Sequence, residues 1–472
     1  MRPRLTTGLV IFLSTLAVYT FSLNGVWAVD HATSFLQLDY AMWAHHSFII
    51  ASGSSPWPGT VDDFLYNGNF YSALAPGTAL LGLPFAGVGF LVDGGFTLFG
   101  TSTIFAESFV ALSNSIAAVL VYLVGRFFFD KKVSAFLAFA YAFSTISWAF
   151  ATYFFQSDVS AMWCLLSVFL VMRATRRQAD RLRDSVLAGG AVAVAMLVDY
   201  INAIFLLILL SYLALSLRRD GQKIARPAAA FAATGLIGVL LIGLYNYASF
   251  GSPLLGSEQL YLHTSSVFGE FSNPLYSGAF LNLFSPYRGL FVYCIFLVLG
   301  PLGLYEMVRR SPYRREALLF LACFLAIFVP YSMWYDPSGG EGFGPRFLVA
   351  AIPYLLLPAG IVIERGDLRL RATAYVLYAA GVIVNGIAGV TSAVTPSYKE
   401  GVWPFLAWVY PVFLRDGVDV WWSRYITGSS RLYLSELIIG SALLIPLVTI
   451  YVLNRKETAG KSRVGPRGPT PQ

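Results

Sequence analysis

Residues 228–247 read AAAFAATGLIGVLLIGLYNY, a run of twenty positions that contains no charged side chain. A helix of about 20 apolar residues is long enough to cross the hydrocarbon core of a bilayer. The run is preceded by four basic residues, Arg218, Arg219, Lys223 and Arg226. Because loops rich in Lys and Arg stay in the cytoplasm, this stretch predicts a membrane-spanning helix whose first residues face the cytoplasm.

The composition of the whole chain also indicates a membrane protein. Of its 472 residues, 57% are hydrophobic and 12% are charged, and the mean hydropathy is +0.66. A soluble domain carries roughly 25% charged residues. So few charges could not cover a water-exposed surface of this size, which excludes a soluble globular protein.

Apolar runs of spanning length recur along the chain. They predict about twelve spans, at residues 8–28, 103–126, 133–152, 159–172, 186–199, 201–217, 228–247, 290–308, 317–335, 347–363, 372–394 and 433–453. A further run, 77–96, is interrupted by Pro84 and glycines, and a full crossing there would move every later basic cluster outside. We expect that run to lie in the interface or to dip into the membrane. The predicted fold class is therefore an all-α, polytopic membrane helix bundle.

The charges divide unequally between the two sides of this predicted bundle. With the amino terminus inside, 26 of the 32 Lys and Arg fall on the cytoplasmic side, as the positive-inside rule requires. The net charge of +7 therefore indicates topology and not a nucleic-acid partner. We expect both termini in the cytoplasm, an uncleaved first span and a disordered tail at 461–472. The outward loops are predicted at 29–102, 248–289, 336–346 and 395–432.

The first outward loop carries candidate catalytic groups. Asp30 follows the first predicted span, so its carboxylate lies at the boundary between membrane and water. Partial desolvation raises the pKa of a carboxyl, which can then accept a proton from a hydroxyl. A solvated loop acid is the alternative. His31 and Asp39 follow; their spacing leaves a divalent cation open but is too unspecific to predict a metal site.

Two arginines lie on the side that the charge pattern disfavours. Arg288 and Arg346 both stand where the chain re-enters the membrane from outside. A guanidinium binds phosphate in a bidentate manner, and lipid phosphates lie at this depth. We therefore predict both as phosphate-binding residues. The alternative is an interfacial arginine that snorkels or pairs with Asp336 or Glu341.

Other polar and sulfur-containing residues lie in or beside apolar runs. Asp158, which follows Gln156 closely, and Asp199 are acids at the edges of predicted spans, where an acid is a candidate functional group. The cysteines lie within apolar runs and indicate neither a metal site nor a disulfide framework: Cys164, Cys294 and Cys323.

Five short motifs occur in order along the chain. They are an Asp after the first span, Tyr66-Asn67-Gly68 with Tyr71-Ser72 and Ala75-Pro76-Gly77, the segment 247–253 (YASFGSP), the segment 285–291 (SPYRGLF), and Gly339-Gly340 with residues 344–348 (GPRFL). This order resembles the GT-C glycosyltransferases, in the branch of protein O-mannosyltransferases and aminoarabinose transferases. The resemblance covers about residues 8–365.

The resemblance implies one transmembrane domain over residues 1–460, with amphipathic helices in the first outward loop, in the cell membrane of a prokaryote. It implies a polyprenyl- or dolichyl-phosphate sugar as donor and an acid of the first loop as the base of an inverting transfer. Carried over, that acid is Asp30, and Tyr66, Asn67 and Tyr71 would contact the donor. The acceptor, whether glycan, lipid or protein, stays open. Candidates for binding it or supporting the site are His31, Asp39, Gln156, Asp158, Asp336 and Glu341.

Two positions depart from the family pattern. Many relatives carry a Lys before the Pro-Gly, whereas Ala75 precedes Pro76 here. The cation that contacts the donor phosphate must therefore come from elsewhere, or the donor differs. Relatives also often show a His near positions 156–158, where this chain has Asp158.

Two other function classes stay open beside the glycosyltransferase. A transporter or lipid flippase usually contains inverted repeats with broken helices at mid-membrane, and such repeats are not visible in this sequence. A structural membrane protein would leave the two outward arginines without a purpose. The sequence therefore predicts a membrane glycosyltransferase that uses a lipid-phosphate sugar.

Overall fold

The computed structural model describes residues 2–25, 30–52, 60–96, 100–263, 269–398, 401–425 and 430–463. Its helices are α1 Arg2–Ser22, α2 Asp30–His45, α3 Gly77–Asp93, α4 Thr101–Gly125, α5 Lys131–Phe143, α6 Ser147–Phe150, α7 Gln156–Arg176, α8 Arg181–Val198, α9 Ile204–Arg219, α10 Ala225–Phe250, α11 Ser257–Tyr261, α12 Leu275–Leu283, α13 Leu290–Tyr293, α14 Leu299–Arg310, α15 Arg314–Met333, α16 Ile352–Arg365, α17 Leu368–Val390, α18 Tyr410–Asp416 and α19 Ser430–Arg463. The strands are β1 Ala51–Ser52, β2 Asp63–Tyr66 and β3 Asn69–Ser72. Of the predicted tail, residues 461–463 continue α19, and 464–472 lie outside the described residues.

The helical membrane bundle is confirmed, but the count of about twelve spans is not. Within the described ranges, eight helices are long and apolar enough to cross a membrane: Thr101–Gly125, Gln156–Arg176, Tyr200–Arg219, Ala225–Phe250, Arg314–Met333, Arg346–Arg365, Leu368–Val390 and Ser430–Arg455. Two apolar helices are shorter, Thr6–Ser22 and Gly77–Asp93.

Breaks and charges explain the lower count. The predicted span 133–152 is interrupted after Phe143, where α5 ends and the short α6 follows. The predicted span 290–308 divides into α13, a 3₁₀ turn at Ile295–Val298 and α14. Helix α8 begins with a charged turn, RLRD. Average hydropathy along a sequence does not register such breaks.

The spanning helices differ in how far they are covered by protein. The apolar part of Arg346–Arg365 is 89% buried, whereas the corresponding parts of α10 and α19 are 22% and 17% buried. The helix over Arg346–Arg365 therefore lies at the centre of the bundle. Helices α10 and α19 present apolar side chains outward, where the acyl chains of a bilayer provide a matching surface.

The two ends of the bundle carry different loops. Helix α7 runs from Gln156 at one end to Arg176 at the other. At the Arg176 end basic loops meet acidic partners: Arg176 lies 3.0 Å from Glu316, and Arg173 pairs with Asp184 at 2.5 Å. At the Gln156 end the loops surround a cavity. The predicted division of the loops into two groups therefore corresponds to two opposite ends.

The first loop contains a small antiparallel sheet that the all-α prediction did not include. Its order is β1-β3-β2, and Tyr66 is paired with Asn69 across a two-residue turn. Asn67 and Gly68 form that turn with φ values of 49° and 80°. Asn-Gly with two positive φ angles is the preferred type I′ hairpin turn. Tyr66 and Asn67, predicted to contact a donor, thus belong to a hairpin.

Helix α3 corresponds to the apolar run that we expected not to cross the membrane. It has 17 residues with Pro84 inside, fewer than the roughly 20 needed for a span. Its outer face exposes Leu91 and Val92. Its first residue, Gly77, packs so closely on the end of α8 that an added Cβ would lie 2.3 Å from the carbonyl carbon of Leu197. Only glycine fits there, which accounts for the glycine of the Pro-Gly motif.

Candidate active site

A cavity of about 400 Å³ opens at the Gln156 end of the bundle. Segments from distant parts of the chain form it: the start of α2, the chain before β2 and after β3, the α8–α9 junction, α11 and the loop after α15. Six carboxylates line it: Asp30, Asp62, Asp199, Glu258, Asp336 and Glu341. The cavity is therefore strongly acidic, with Arg346 and His31 as its other charged or titratable nitrogen groups.

The first turn of α2 brings Asp30 and His31 to the cavity wall. An acid at the amino-terminal end of a helix interacts favourably with the helix dipole, and Asp30 occupies that position. Burial, followed by the nearby Asp62 carboxylate, raises the pKa of Asp30 from its ordinary value. A raised pKa makes the carboxylate a stronger base, as the sequence-based assignment of Asp30 requires.

Asp62 and Asp63 are neighbours in sequence but point to different surroundings. Asp62 Oδ2 lies 2.5 Å from Nδ1 of His31. Asp63 accepts a 2.7 Å hydrogen bond from Ser34 Oγ and is not part of the cavity lining. Burial raises the pKa of Asp63 to about 6. Successive side chains of an extended chain point to opposite faces, which explains why Asp62 faces the cavity and Asp63 faces Ser34.

Arg346 lies on the cavity wall at the start of a 3₁₀ turn. Its Nε donates to the carbonyl of Gly339 at 2.5 Å, and its guanidinium lies over the ring of Phe155 at 5.5 Å and that of Phe347 at 5.0 Å. Within the described ranges its terminal nitrogens have no protein acceptor. The planar end of this side chain is therefore available to a ligand.

The loop that carries Arg346 depends on glycine. Gly339 and Gly340 have φ values of 70° and 67°, in the left-handed region that favours glycine. An added Cβ at Gly339 would lie 3.0 Å from Nε of Arg346. These two positions let the loop turn its carbonyls toward arginine side chains.

Arg288 is fully buried next to this loop. Its Nε donates to the Ser338 carbonyl at 2.9 Å, and its terminal nitrogens donate to the carbonyls of Gly340 and Gly342. A further hydrogen bond of 3.0 Å reaches the Tyr287 hydroxyl. Arg288 is not among the residues that line the cavity. Its contacts hold the Arg346 loop in place, whereas its predicted phosphate contact stays a prediction.

Another part of the cavity wall combines acids with aromatic rings. Asp199 accepts a 2.6 Å hydrogen bond from the hydroxyl of Tyr331 and a 3.1 Å bond from the Ile201 amide. Trp334 and Tyr335 line the cavity beside it. Asp199 is a candidate in the sequence only as an acid at the edge of a span. Its partner Tyr331 has no signal in the sequence, because the two residues lie 132 positions apart in the chain.

The structure brings six of the predicted site residues to the cavity: Asp30, His31, Gln156, Asp336, Glu341 and Arg346. Six others do not line it: Tyr66, Asn67, Tyr71, Arg288, Asp39 and Asp158.

Packing explains three of those that lie elsewhere. Tyr71 packs on Phe250 with ring centroids 5.2 Å apart. Asp39 and Asp158 are completely buried behind the wall. The predicted donor segment does reach the cavity through the backbone just after β3, where Ala73 and Ala75 form part of the lining.

The described residues contain no group of three or more His, Cys, Asp or Glu placed to hold a metal ion. Three acids that line the cavity have no site role in the sequence-based prediction: Asp62, Asp199 and Glu258. Of these, Asp62 could be noticed as an acid four residues before the Tyr66-Asn67-Gly68 motif, but nothing local links it to His31.

Comparison with solved structures identifies the architecture. The chain is similar to ArnT from Cupriavidus metallidurans in the apo state, with a TM-score of 0.56 and 16% identity over 94% of this chain and 75% of that one. The same protein bound to undecaprenyl phosphate gives a TM-score of 0.52 and 17% identity over 94% and 76%. The chain has the GT-C fold.

The GT-C resemblance recognised from the sequence motifs is thus confirmed. The chain is also similar to an oligosaccharyltransferase from Archaeoglobus fulgidus, with a TM-score of 0.46 and 13% identity over 93% of this chain and 60% of that one, a likeness too low to add to this assignment. A comparison with curated protein sequences finds no match.

A sequence profile adds to the GT-C assignment. The family described as dolichyl-phosphate-mannose-protein mannosyltransferase matches residues 86–244, about a third of the chain. This range includes Gln156 and Asp199 but not Asp30, Asp62 or Arg346. The profile supports a glycosyltransferase, and the residues of the cavity must be argued from the structure of this chain.

Proposed function

We propose that this chain is a membrane glycosyltransferase that moves a sugar from a polyprenyl- or dolichyl-phosphate donor to a hydroxyl of an acceptor. The observation that carries the proposal is the cavity itself. In a GT-C fold, one cavity holds a carboxylate suited to act as a base, Asp30, and a guanidinium with unused donors, Arg346. A base for the incoming hydroxyl and a cation for the departing phosphate are the two groups that this reaction needs.

The charges of the cavity support one orientation of the donor. A phosphate next to the six carboxylates would be repelled, so the phosphate belongs beside Arg346, the cavity's arginine. Arg346 can make the bidentate contact that a phosphate oxygen pair accepts. It supplies the cation that we expected from a Lys before Pro76, where Ala73 and Ala75 line the wall instead.

The acidic and aromatic wall suits a sugar. Carboxylates accept hydrogen bonds from hydroxyls, and Asp199 and Glu258 line the cavity here. The rings of Trp334 and Tyr335 offer apolar faces for the CH groups of a pyranose or furanose. The sugar would then lie between the phosphate at Arg346 and the acids of this wall.

The proposed reaction is a single displacement with inversion. The acceptor hydroxyl transfers its proton to Asp30 while its oxygen forms a bond to the anomeric carbon. The bond between that carbon and the phosphate oxygen breaks, and its electron pair leaves with the lipid phosphate, which the Arg346 guanidinium stabilises. Asp336 and Glu341 also line the cavity, in the loop that leads to Arg346, and we propose that they contact the acceptor.

The proposed topology follows the charge division. The basic end, with Arg173 and Arg176, faces the cytoplasm, and the cavity faces the outside of a prokaryotic cell membrane. This arrangement places 26 of the 32 Lys and Arg on the cytoplasmic side. Both termini are then cytoplasmic, and the acceptor is a glycan, lipid or protein outside the cell.

An assay with purified protein tests the proposed function. Radiolabelled polyprenyl-phosphate sugars are supplied to the protein in vesicles, together with lipid, glycan and peptide acceptors. We expect transfer by the native chain and a fall of at least about 10²-fold for Asp30→Asn, since a general base contributes about 10²–10⁴-fold. The matched control is Asp220→Asn, an exposed acid at the basic end of the bundle.

The result of this assay decides between functions. Full activity of Asp30→Asn would remove the base assignment. If the native protein transfers no sugar to any acceptor but moves labelled lipid across the vesicle membrane, the transporter alternative replaces the glycosyltransferase.

A further inference from the structure

His31 forms a buried pair with Asp62 at the edge of the cavity. The Nδ1 and Oδ2 atoms are 2.5 Å apart, and the two side chains are 12% and 13% exposed. The imidazole also packs on the ring of Phe155, with centroids 5.6 Å apart. The other ring nitrogen, Nε2, has no hydrogen-bond partner in the described part of the chain and is not sealed from the cavity.

The pair fixes the protonation pattern of the ring. An ionised carboxylate only accepts hydrogen bonds, so Nδ1 must carry the proton that it donates to Asp62. In a neutral imidazole, Nε2 then has a free lone pair. Asp62 is itself held, because its amide donates to Thr60 Oγ1 at 3.2 Å and its carbonyl accepts from the Ala73 amide at 2.8 Å.

The electrostatics of the pair agree with this pattern. Burial, together with the positive charge of Arg346, lowers the pKa of His31 below its ordinary value despite the opposing Asp62 and Asp30 carboxylates. Burial opposes ionisation of Asp62, but His31 and Arg346 outweigh it and hold the pKa of Asp62 below its ordinary value. At neutral pH the pair is thus a neutral imidazole and a carboxylate, which is the state of a general base oriented by an acid.

We propose that His31, oriented by Asp62, is a second catalytic residue of the glycosyl transfer, and this proposal rests on the function proposed above. The proton that Asp30 takes from the acceptor hydroxyl comes to rest on Nε2 of His31. The resulting imidazolium is stabilised by the Asp62 carboxylate, and Asp30 is returned as a carboxylate for the next turnover. No further reactant is needed, since the imidazolium later gives its proton to water.

The tautomer provides the sharpest test. In Asp62→Asn the new amide can donate to Nδ1, which places the proton on Nε2 and removes the lone pair from the cavity. We expect kcat to fall by about 10²-fold or more, while KM for the lipid-phosphate donor changes less than threefold, because Arg346 still binds the phosphate. The matched control is Asp63→Asn, which makes the same chemical change one residue away, and it should keep kcat within about threefold.

The pH profile separates a catalytic role from a structural one. The charged groups that act on the imidazole are Asp62, Asp30 and Arg346. As the pH falls through the lowered pKa of His31, Nε2 gains a proton before the reaction, so kcat of the native protein should decrease on the acid side. In His31→Gln, whose amide can still donate to Asp62, kcat should be lower, and the part of the acid limb that reports His31 should disappear, which leaves only the titration of Asp30.

Three outcomes are distinguishable. Native kcat and an unchanged acid limb in both Asp62→Asn and His31→Gln would overturn the role of His31 while leaving the glycosyltransferase in place. Equal losses in Asp62→Asn and Asp63→Asn, with lowered thermal stability in both, would assign the pair a structural role and also overturn the proposal. Absence of transfer by the native protein would instead contradict the proposed function itself.

Discussion

The turn at 285–290 and the loop at 339–347 each carry an arginine that the sequence pattern alone treats alike. In the first region Arg288 is fully buried, and its guanidinium donates to carbonyls of the second region and to a tyrosine hydroxyl. In the second region Arg346 uses one donor on Gly339 and presents the rest of its guanidinium to a cavity. One arginine therefore builds the loop that positions the other.

This difference teaches that an arginine in a disfavoured position has two distinct uses. A buried guanidinium needs acceptors for its five N–H groups, and a glycine-rich loop that exposes its carbonyls provides them. An arginine with unused donors beside a cavity is instead available to an anion. The number of protein acceptors around the guanidinium, and not its charge, decides which of the two uses an arginine has.

The largest effect is expected from Arg288→Ala. The substitution removes the guanidinium donor from the carbonyls of Ser338, Gly340 and Gly342, of which Gly342 keeps a 3.3 Å bond from Thr395 Oγ1. A buried acceptor left unsatisfied costs about 1–3 kcal/mol. We expect a loss of roughly 3 kcal/mol or more of folding free energy and a clear drop in the thermal unfolding temperature in detergent. Arg415→Ala is the control, since Arg415 is 72% exposed and surface changes stay within about 0.5 kcal/mol. Unchanged stability of Arg288→Ala would remove its structural role.

Unlike Arg288→Ala, the Arg346→Ala variant should keep nearly the folding stability of the native protein. It gives up one hydrogen bond to Gly339, worth about 1 kcal/mol, but it removes the cation proposed for the leaving phosphate. Removing one such stabilising donor costs about 10²–10³ in kcat, and this loss would be measured with the labelled lipid-phosphate donor. Arg346→Lys, which keeps the charge but not the planar fork, should recover part of the activity. Native activity in Arg346→Ala would mean that the phosphate is held elsewhere.

A smaller effect is expected from a pair of glycine substitutions. Both Gly339→Ala and Gly340→Ala force a left-handed backbone on alanine, at about 1 kcal/mol each. Around Gly340 a Cβ meets no atom within 4 Å, whereas at Gly339 it lies 3.0 Å from Nε of Arg346. We expect similar thermal stability but lower activity for Gly339→Ala. Equal activities would show that the position of Arg346 does not depend on this contact.

Long apolar helices could be predicted from the sequence, and their interruptions could not. The run 228–247 falls inside α10, Ala225–Phe250, because twenty apolar residues without a break have few other stable structures in a bilayer. The break after Phe143 falls at Ser144 and Thr145, two uncharged residues inside a run that stays apolar on average, so hydropathy does not mark it. At this break the chain packs closely on α17, where a Cβ added at Gly381 would lie 2.7 Å from the carbonyl oxygen of Ser144. A local average of hydropathy cannot contain such a contact.

The site was predictable where it lies at the ends of spans. Asp30 and Arg346 are predicted because each follows or begins an apolar run, and both line the cavity. The hairpin has a local signal, the Asn-Gly turn at Asn67 and Gly68, which the all-α prediction does not use. The pairing of His31 with Asp62 had no local signal, because 31 positions separate the residues and only the fold of the first loop brings them together.

Gly77 of α3 lies in direct contact with the backbone at the end of α8, which leads into one wall of the cavity. Helix α3 exposes apolar side chains such as Leu91, and its other end is fitted against the backbone of Leu197 and Val198, two residues before the cavity acid Asp199. Because glycine places no side chain at this contact, we expect a change in the tilt of α3 to move the end of α8 that precedes Asp199. We expect the thickness of the surrounding bilayer to affect the shape of the site through this contact.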